Sequence, residues 1–342
     1  MRVYVVHPGA SFSTADVYTG AVAGLRALDG VDVYEGRLDT IMEWYESALA
    51  AGITQGAFKA EAVKGINAQR WASAHITQHI LQVWPDLVIV ISGHNYHTQD
   101  VRDLRKVGLR VACVLTEAPY IIDAEMQLAL SYDAVTTNER RCVDLLRRVN
   151  PRSHYLPHAF HPQVHTPHVP PDPAKACDVV FIGSLFEERR ALLDGVDWSG
   201  IRLTKRGYHL DGQTPDVVPN LEAADYYRSA AISLNHHRTT TSPGSGQHIG
   251  MGEAESLGPR AYEIAACGGF QLMDDSRPER FDVFGDCAPT YRAGDAADLE
   301  RQVRSWLARP DERARVAQAM CAAVQPHAWT HRARQLLEVL CG

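Results

Sequence analysis

Glu255-Ser-Leu-Gly-Pro-Arg-Ala-Tyr-Glu263 runs on directly into Ile264-Ala-Ala-Cys-Gly-Gly-Phe-Gln-Leu272. Gly258 and Pro259 mark a helix start, because glycine permits a tight turn and proline fits the first helical position. A helix is predicted over 259–266 and a strand over 269–273. Glu255 and Glu263 stand seven intervening residues apart. Arg260 and Glu263 sit one turn apart on one helix face. The start of such a helix has free N–H groups and a partial positive charge, which suit a phosphate. Arg260 adds a guanidinium there, and Glu263 can accept hydrogen bonds from vicinal hydroxyls of a sugar or ribose. The segment reads as a nucleotide-sugar pocket. An ordinary capped helix with surface charges satisfies the same pattern.

Working outward, strand-like and helix-like stretches alternate along the whole chain. In the N-terminal half the predicted strands are 2–7, 31–34, 86–92, 110–115, 133–136 and 153–156. Helices are predicted at 14–28, 58–84, 98–107, 122–131 and 138–149. In the C-terminal half, strands at 178–182, 201–204, 231–234 and 269–273 alternate with helices at 187–194, 222–229 and 259–266. Helices at 295–308, 311–324 and 329–341 follow. Apolar strands separated by helices imply parallel sheets covered on both faces. Between the halves, residues 157–176 hold Pro157, Pro162, Pro167, Pro170, Pro171 and Pro173, a density that excludes a long helix and predicts a linker. The fold class expected is α/β: two Rossmann-like domains with parallel sheets facing a central cleft. Their expected bounds are 1–157 for an acceptor domain and 177–326 for a donor domain. A linker at 158–176 joins them, and a last helix at 327–342 crosses back to the first domain.

Length and composition agree with two ordinary globular cores: 342 residues, 45% hydrophobic and 22% charged. No stretch approaches the about 18 uninterrupted apolar residues of a membrane span, and Met1 leads straight into a strand, so a cytoplasmic protein is expected. Seven cysteines without a C-x-x-C pair argue for reduced thiols rather than disulfides or a zinc ribbon. A net charge of −7 disfavours polymeric DNA as a partner, although Arg102, Arg105, Lys106 and Arg110 form a local basic cluster.

Several of these pieces together resemble the CgeB-type, spore-maturation glycosyltransferases of the GT-B superfamily. The resemblance is carried by Asp178-Val-Val-Phe-Ile-Gly-Ser184 with Arg189-Arg190, by Ile232-Ser-Leu-Asn-His-His-Arg238, and by the 260–272 stretch. It continues through Pro310-Asp-Glu-Arg313 and residues 327–332. It covers about 177–341, and more loosely Pro85-Asp-Leu-Val-Ile-Val90, Tyr132-Asp-Ala-Val135 and Tyr155-Leu-Pro-His158. It implies transfer of a sugar from a nucleoside diphosphate sugar, UDP-linked above all, to a hydroxyl acceptor, with no metal and no further cofactor. The acceptor stays open between polysaccharide, protein, a small aglycone and a hydroxymethylated base of phage DNA.

Ligands of open parallel sheets bind beyond the carboxyl ends of the strands, so the loops there supply the candidates. After the first strand come His7, Gly9, Ser13 and Asp16; His94 follows the third. These are the acceptor-side residues, with Asp16 a candidate base or simply a charge near a helix start. After the fourth strand Thr116-Glu-Ala-Pro-Tyr120 has Glu117 where the resembled family shows aspartate; it is a candidate base or orienting group. In the second half, Gly183 and Ser184 let a ligand approach the backbone, while Lys205, Arg206 and one of Arg189 and Arg190 are candidates to reach a diphosphate. Residues 235–258 form a long loop that reads as a lid over the donor, with Asn235 and Arg238 at its fixed end. Donor contacts are thus expected from Arg260, Glu263, Gly183, Ser184, Asn235, Arg238, Lys205 and Arg206, and catalytic roles from Glu255, Glu117 and Asp16. No metal site is expected: there is no Asp-x-Asp, and His154, His158, His161, His165 and His168 lie among prolines that forbid a shared helix. By resemblance the E-x7-E pattern implies retention of anomeric configuration. The alternatives are a UDP-sugar epimerase on the same scaffold and a non-catalytic nucleotide-sugar-binding module. A dinucleotide enzyme lacks support because no G-x-G-x-x-G turn is present.

Overall fold

A computed structural model describes residues 1–9, 12–63, 67–207, 217–238 and 254–341. The chain divides into two compact units, one of Met1–Leu156 together with the residues from Arg332 onward, the other of Pro157–His331.

The first unit is built on six parallel strands: β1 (Arg2–Val6), β2 (Asp32–Gly36), β3 (Leu87–Ile91), β4 (Val111–Val114), β5 (Ala134–Thr137) and β6 (Ser153–Tyr155). Their order is β2-β1-β3-β4-β5-β6. Leu87-Val-Ile-Val-Ile91 is 0% exposed along its length, because a central strand covered on both faces must be apolar at every position. Helices α1 (Phe12–Arg26), α2 (Leu38–Thr54), α3 (Ala68–Val83), α4 (Thr98–Lys106), α5 (Ile122–Ala129) and α6 (Val143–Arg147) connect the strands. The helix expected over 58–84 is cut back to α3 behind a 3-10 turn at Ala60–Val63, and α2 fills a stretch where no helix was expected. Phe58 turns back onto Gly52, where a Cβ would come within 2.3 Å of its ring, and Asn67 caps α3 by accepting the Arg70 N–H. Those two local features set the break.

The second unit has five parallel strands, β7 (Val179–Ile182), β8 (Leu203–Arg206), β9 (Ile232–Asn235), β10 (Gln271–Asp274) and β11 (Thr290–Tyr291), in the order β11-β10-β9-β7-β8. Helices α7 (Glu187–Asp194), α8 (Asn220–Ser229), α9 (Pro259–Ala266), α10 (Glu279–Phe284), α11 (Ala296–Leu307), α12 (Pro310–Val324) and α13 (Trp329–Cys341) complete the chain. The sequence reading missed α10 and β11, which are too short to show a period. Every residue of α9 from Ala261 to Ala266 is buried, so this helix packs on all sides.

The proline-rich segment is fastened to the second unit. Phe160 donates its N–H to the His327 carbonyl and accepts from Trp329, while Asp172 donates its N–H to Ser229 Oγ at 2.8 Å. Arg228 reaches the carbonyls of Val164 and Thr166. Past His331 the last helix belongs to the first unit: Ala333, Leu336 and Leu340 are 0% exposed, and Arg110 and Arg152 bond the carbonyls of Cys341 and Leu340. No helix among the described residues is long and apolar enough to cross a membrane.

Candidate functional site

In each sheet the strand order reverses once, between β1 and β3 in the first unit and between β7 and β9 in the second. The crevice outside such a reversal is where open α/β sheets bind ligands.

In the second unit, β7 hands over to Gly183 at φ +147° and β8 to Gly207 at φ +123°, conformations that side chains rarely adopt. The two backbones touch. A Cβ on Gly207 would lie 2.6 Å from the Gly183 carbonyl oxygen, and one on Gly183 would lie 2.5 Å from the Arg260 guanidinium. Arg260 therefore rests on bare backbone. It also acts by its charge on the buried Tyr227 hydroxyl, lies 6.0 Å from the Phe181 ring centre, and keeps a buried Nε with no partner among the described residues. Gly258 at the N-cap of α9 brings no side chain to cap it, and Pro259 occupies the first turn. One turn on, Glu263 is buried on the same helix.

The other donor-side candidates take varied places. The Ser184 carbonyl accepts from Arg189 Nη1 at 2.9 Å, while Arg189 Nη2 donates to the His236 carbonyl at 2.8 Å. Arg189, read from sequence as a phosphate candidate, is thus a buried brace between the ends of β7 and β9. Arg206 bonds Glu222 at 3.0 Å and the Tyr226 hydroxyl at 2.8 Å, whereas Lys205 is exposed on the edge strand. Asn235 Nδ2 donates to Gln271 Oε1 at 3.3 Å, and Gln271 Nε2 to the Ala261 carbonyl at 2.9 Å, linking β9 through β10 to α9. The Arg238 guanidinium lies 4.9 Å from the Phe186 ring centre.

Residues 239–253, the body of the expected lid, lie outside the described residues. The chain on either side of them is held by one buried side chain. Arg277 Nη2 donates to the Arg238 carbonyl at 2.7 Å, and Nη1 donates to the Ala254 carbonyl. Glu279 adds to this, its N–H reaching the Glu255 carbonyl at 3.2 Å and its Oε2 accepting the Leu257 N–H at 2.5 Å. Asp274, at the end of β10, accepts from the His237 backbone N–H at 2.6 Å and lies 2.9 Å from His237 Nδ1. Burial raises its affinity for a proton, but the His237 imidazole and these donors outweigh burial and hold the carboxyl well below the usual range. The sequence reading missed His237, Asp274, Arg277 and Glu279. The rule that selected the other loops points equally to the one after β10, Asp274-Asp-Ser-Arg277.

In the first unit, Gly9 at φ +85° packs so closely on Asn95 that a Cβ would meet the Asn95 Cβ at 2.7 Å; Asn95 in turn donates to the Pro8 carbonyl at 2.7 Å. The loops after β1 and β3 are thereby locked together at the reversal point. His7 Nδ1 accepts the Gly9 N–H at 3.1 Å, lies 3.4 Å from Asp39, and the ring stands edge-on to Tyr18; burial lowers its pKa. Asp16, half-buried on α1, has its carboxyl pushed up to about 6 by burial. His94 has a buried Nε2 without a partner among the described residues, and burial lowers its pKa. The side chain of Ser13 lies outside the described residues. Glu117 is positioned from beneath by Glu125, whose Oε1 accepts the N–H groups of Thr116 and Glu117 at 3.1 and 2.8 Å. Glu125 is 0% exposed and burial pushes its pKa up to about 8. Within the basic cluster Arg105 pairs with Asp133 at 2.7 Å, and the exposed Lys106 pairs with the exposed Asp103 at 3.4 Å. Among the described residues no three His, Cys, Asp or Glu side chains form a cation-binding group.

Residues 181–338 match a family described as glycosyl transferase-like. No curated protein matches the chain. Among solved structures, the Anabaena protein HepE in complex with UDP and glucose superposes with a TM-score of 0.62 at 11% identity, over 100% of this chain and 99% of its own. An α,α-trehalose-phosphate synthase (UDP-forming) from Burkholderia xenovorans, in complex with glucose-6-phosphate, gives 0.61 at 11% identity over 100% of both chains. A putative UDP-N-acetylglucosamine 2-epimerase from Listeria monocytogenes gives 0.60 at 12% identity over 98% of this chain and 94% of its own. The two parallel-sheet units therefore have the GT-B fold.

Proposed function

We propose that this protein is a glycosyltransferase that moves a sugar from a nucleoside diphosphate sugar, UDP-linked, to a hydroxyl acceptor, and that it belongs with the CgeB-like enzymes. The observation that carries the reading is the seating of Arg260 on Gly183, beside Gly207 and at the start of α9. A guanidinium, a bare backbone and a helix start with no side-chain cap together suit a diphosphate. Their charge would meet the leaving group as it develops, so no metal is needed for that step. Glu263 would accept from the ribose hydroxyls and Glu255 would contact the sugar. The solved structures with the same fold include proteins described with UDP and glucose and as UDP-forming, which supports a UDP-linked donor. The acceptor side belongs to the first unit, with Asp16 and Glu117 as the groups able to take a hydroxyl proton and His7, Gly9 and His94 as the remaining acceptor contacts. Seven free thiols suit a reducing, cytoplasmic setting.

Retention is proposed from the E-x7-E pattern. An inverted product would instead give Asp16 or Glu117 the role of base, and product stereochemistry decides. The founding test is thermal unfolding with UDP, GDP, TDP and their sugars. A ligand at about 100 times its Kd adds about 2.7 kcal/mol. Selective stabilisation by UDP and a UDP-sugar, weakened in Arg260→Ala and Glu263→Ala, is expected; indifference to every nucleotide would leave only a binding module for something else. Isomerised donor formed without acceptor would point to epimerase chemistry.

A further inference from the structure

We infer that His237, oriented by Asp274, offers its Nε2 as the acceptor for one hydroxyl of the transferred sugar, and so favours the glycosylated nucleotide over the bare one. This rests on the nucleotide-sugar reading above. Asp274 is 1% exposed and gathers donors: the His237 N–H at 2.6 Å and the Ser276 N–H at 3.1 Å, with the Ser276 hydroxyl as well. A carboxylate in such company is ionised and can only accept, so His237 Nδ1, 2.9 Å away, carries the proton. In the neutral ring Nε2 is then a lone pair. Burial opposes a second proton on His237.

That Nε2 is buried and has no hydrogen-bond partner among the described residues. Buried polar atoms are almost always paired, and an orphan needs a reason such as a ligand. The neighbouring His236 shows the contrast, since its Nδ1 is bonded to the Tyr291 hydroxyl at 2.6 Å. The location narrows the ligand. His237 adjoins Arg238 and Glu255 adjoins Ala254, and a single Arg277 guanidinium spans the carbonyls of Arg238 and Ala254. His237 is thus near the glutamate assigned to the sugar. A diphosphate oxygen has no proton to give a lone pair, whereas a sugar hydroxyl does.

Calorimetric titration of the full chain with UDP and UDP-glucose tests this. His237→Asn keeps an amide for Asp274 but removes Nε2; it should weaken UDP-glucose about tenfold, the worth of about 1.4 kcal/mol, and leave UDP within about twofold. His237→Gln, whose amide oxygen reaches farther, should recover most of the loss. In the wild type, one monodeoxy analogue of UDP-glucose should show the same tenfold loss, and that analogue should lose nothing more in His237→Asn. Equal weakening of UDP and UDP-glucose, or no deoxy position coupled to His237, overturns the inference while leaving the donor site standing. Wild-type protein that binds neither nucleotide removes the nucleotide-sugar reading, and this inference with it. If His237→Asn does not fold, the deoxy series compared between wild type and His237→Gln decides: a loss confined to one position in the wild type and blunted in the Gln variant supports it, and an unchanged pattern overturns it.

Discussion

Asp16 and Glu125 are carboxyls that burial moves into the range where function is tested. If Asp16 is the acceptor base, its carboxyl at about 6 must be ionised, so kcat/KM should rise with pH and level off above about 7. Asp16→Asn should abolish that limb and lower the rate at least about a hundredfold; an unaltered profile would exclude it. Glu125 acts on stability. Its pKa is raised in the fold from 4.5 to about 8, so the folded state binds the extra proton. Its contribution is whole below about pH 4.5 and is lost as pH climbs to about 8, each unit of displacement being worth about 1.4 kcal/mol. Glu125→Gln, always neutral, should flatten this fall; denaturant unfolding at pH 6 and pH 8.5 measures it, and equal pH dependence in both proteins would refute the assignment. Sequence marked Asp16 because a carboxylate near a helix start after a strand is conspicuous. It passed over Glu125, because nothing local reveals that α5 turns this one residue beneath the 116–117 backbone.

At the scale of elements, the loops after β7 and β8 are shaped by glycine backbone, whereas the loop after β10 is held by side chains. Gly207→Ala would drive a Cβ into the Gly183 backbone, at 2.6 Å, and should destabilise by about 2–3 kcal/mol while displacing the seat of Arg260. A drop in thermal stability of less than about 2 °C would show that the seat can yield. Arg277 joins the chain on both sides of 239–253 through the fork of one guanidinium, a geometry lysine does not reproduce. Arg277→Lys should therefore raise KM for the donor more than it lowers kcat, with a loss of about 1–3 kcal/mol in stability. Equal KM values would reduce Arg277 to a purely structural clamp. The strands themselves were legible, since Leu87–Ile91 and Val179–Ile182 are apolar at every position. The helix expected at 58–84 was not, because its break depends on Phe58 folding onto Gly52 across a turn.

At the scale of the molecule, the last helix ties the chain end to the first unit through Ala333, Leu336 and Leu340. Ending the chain after His331 should cost about 3–5 kcal/mol from the two leucines alone, seen as earlier melting and faster proteolysis of residues 1–156. Unchanged melting would mean that the helix is dispensable. By itself the sequence determined the α/β alternation, the two halves, the start of α9 and the pairing of Arg260 with Glu263 on one helical face, because these follow from local periodicity and from what glycine and proline do to a backbone. Only the tertiary structure decided that Arg260 lies on Gly183, that Arg189 and Arg206 are taken up by carbonyls and a carboxylate, and that His237 pairs with Asp274. Apart from the Arg189 contact with the nearby Ser184 carbonyl, those contacts join residues that are 16 to 77 positions apart in the chain, and no local rule carries a side chain across a sheet.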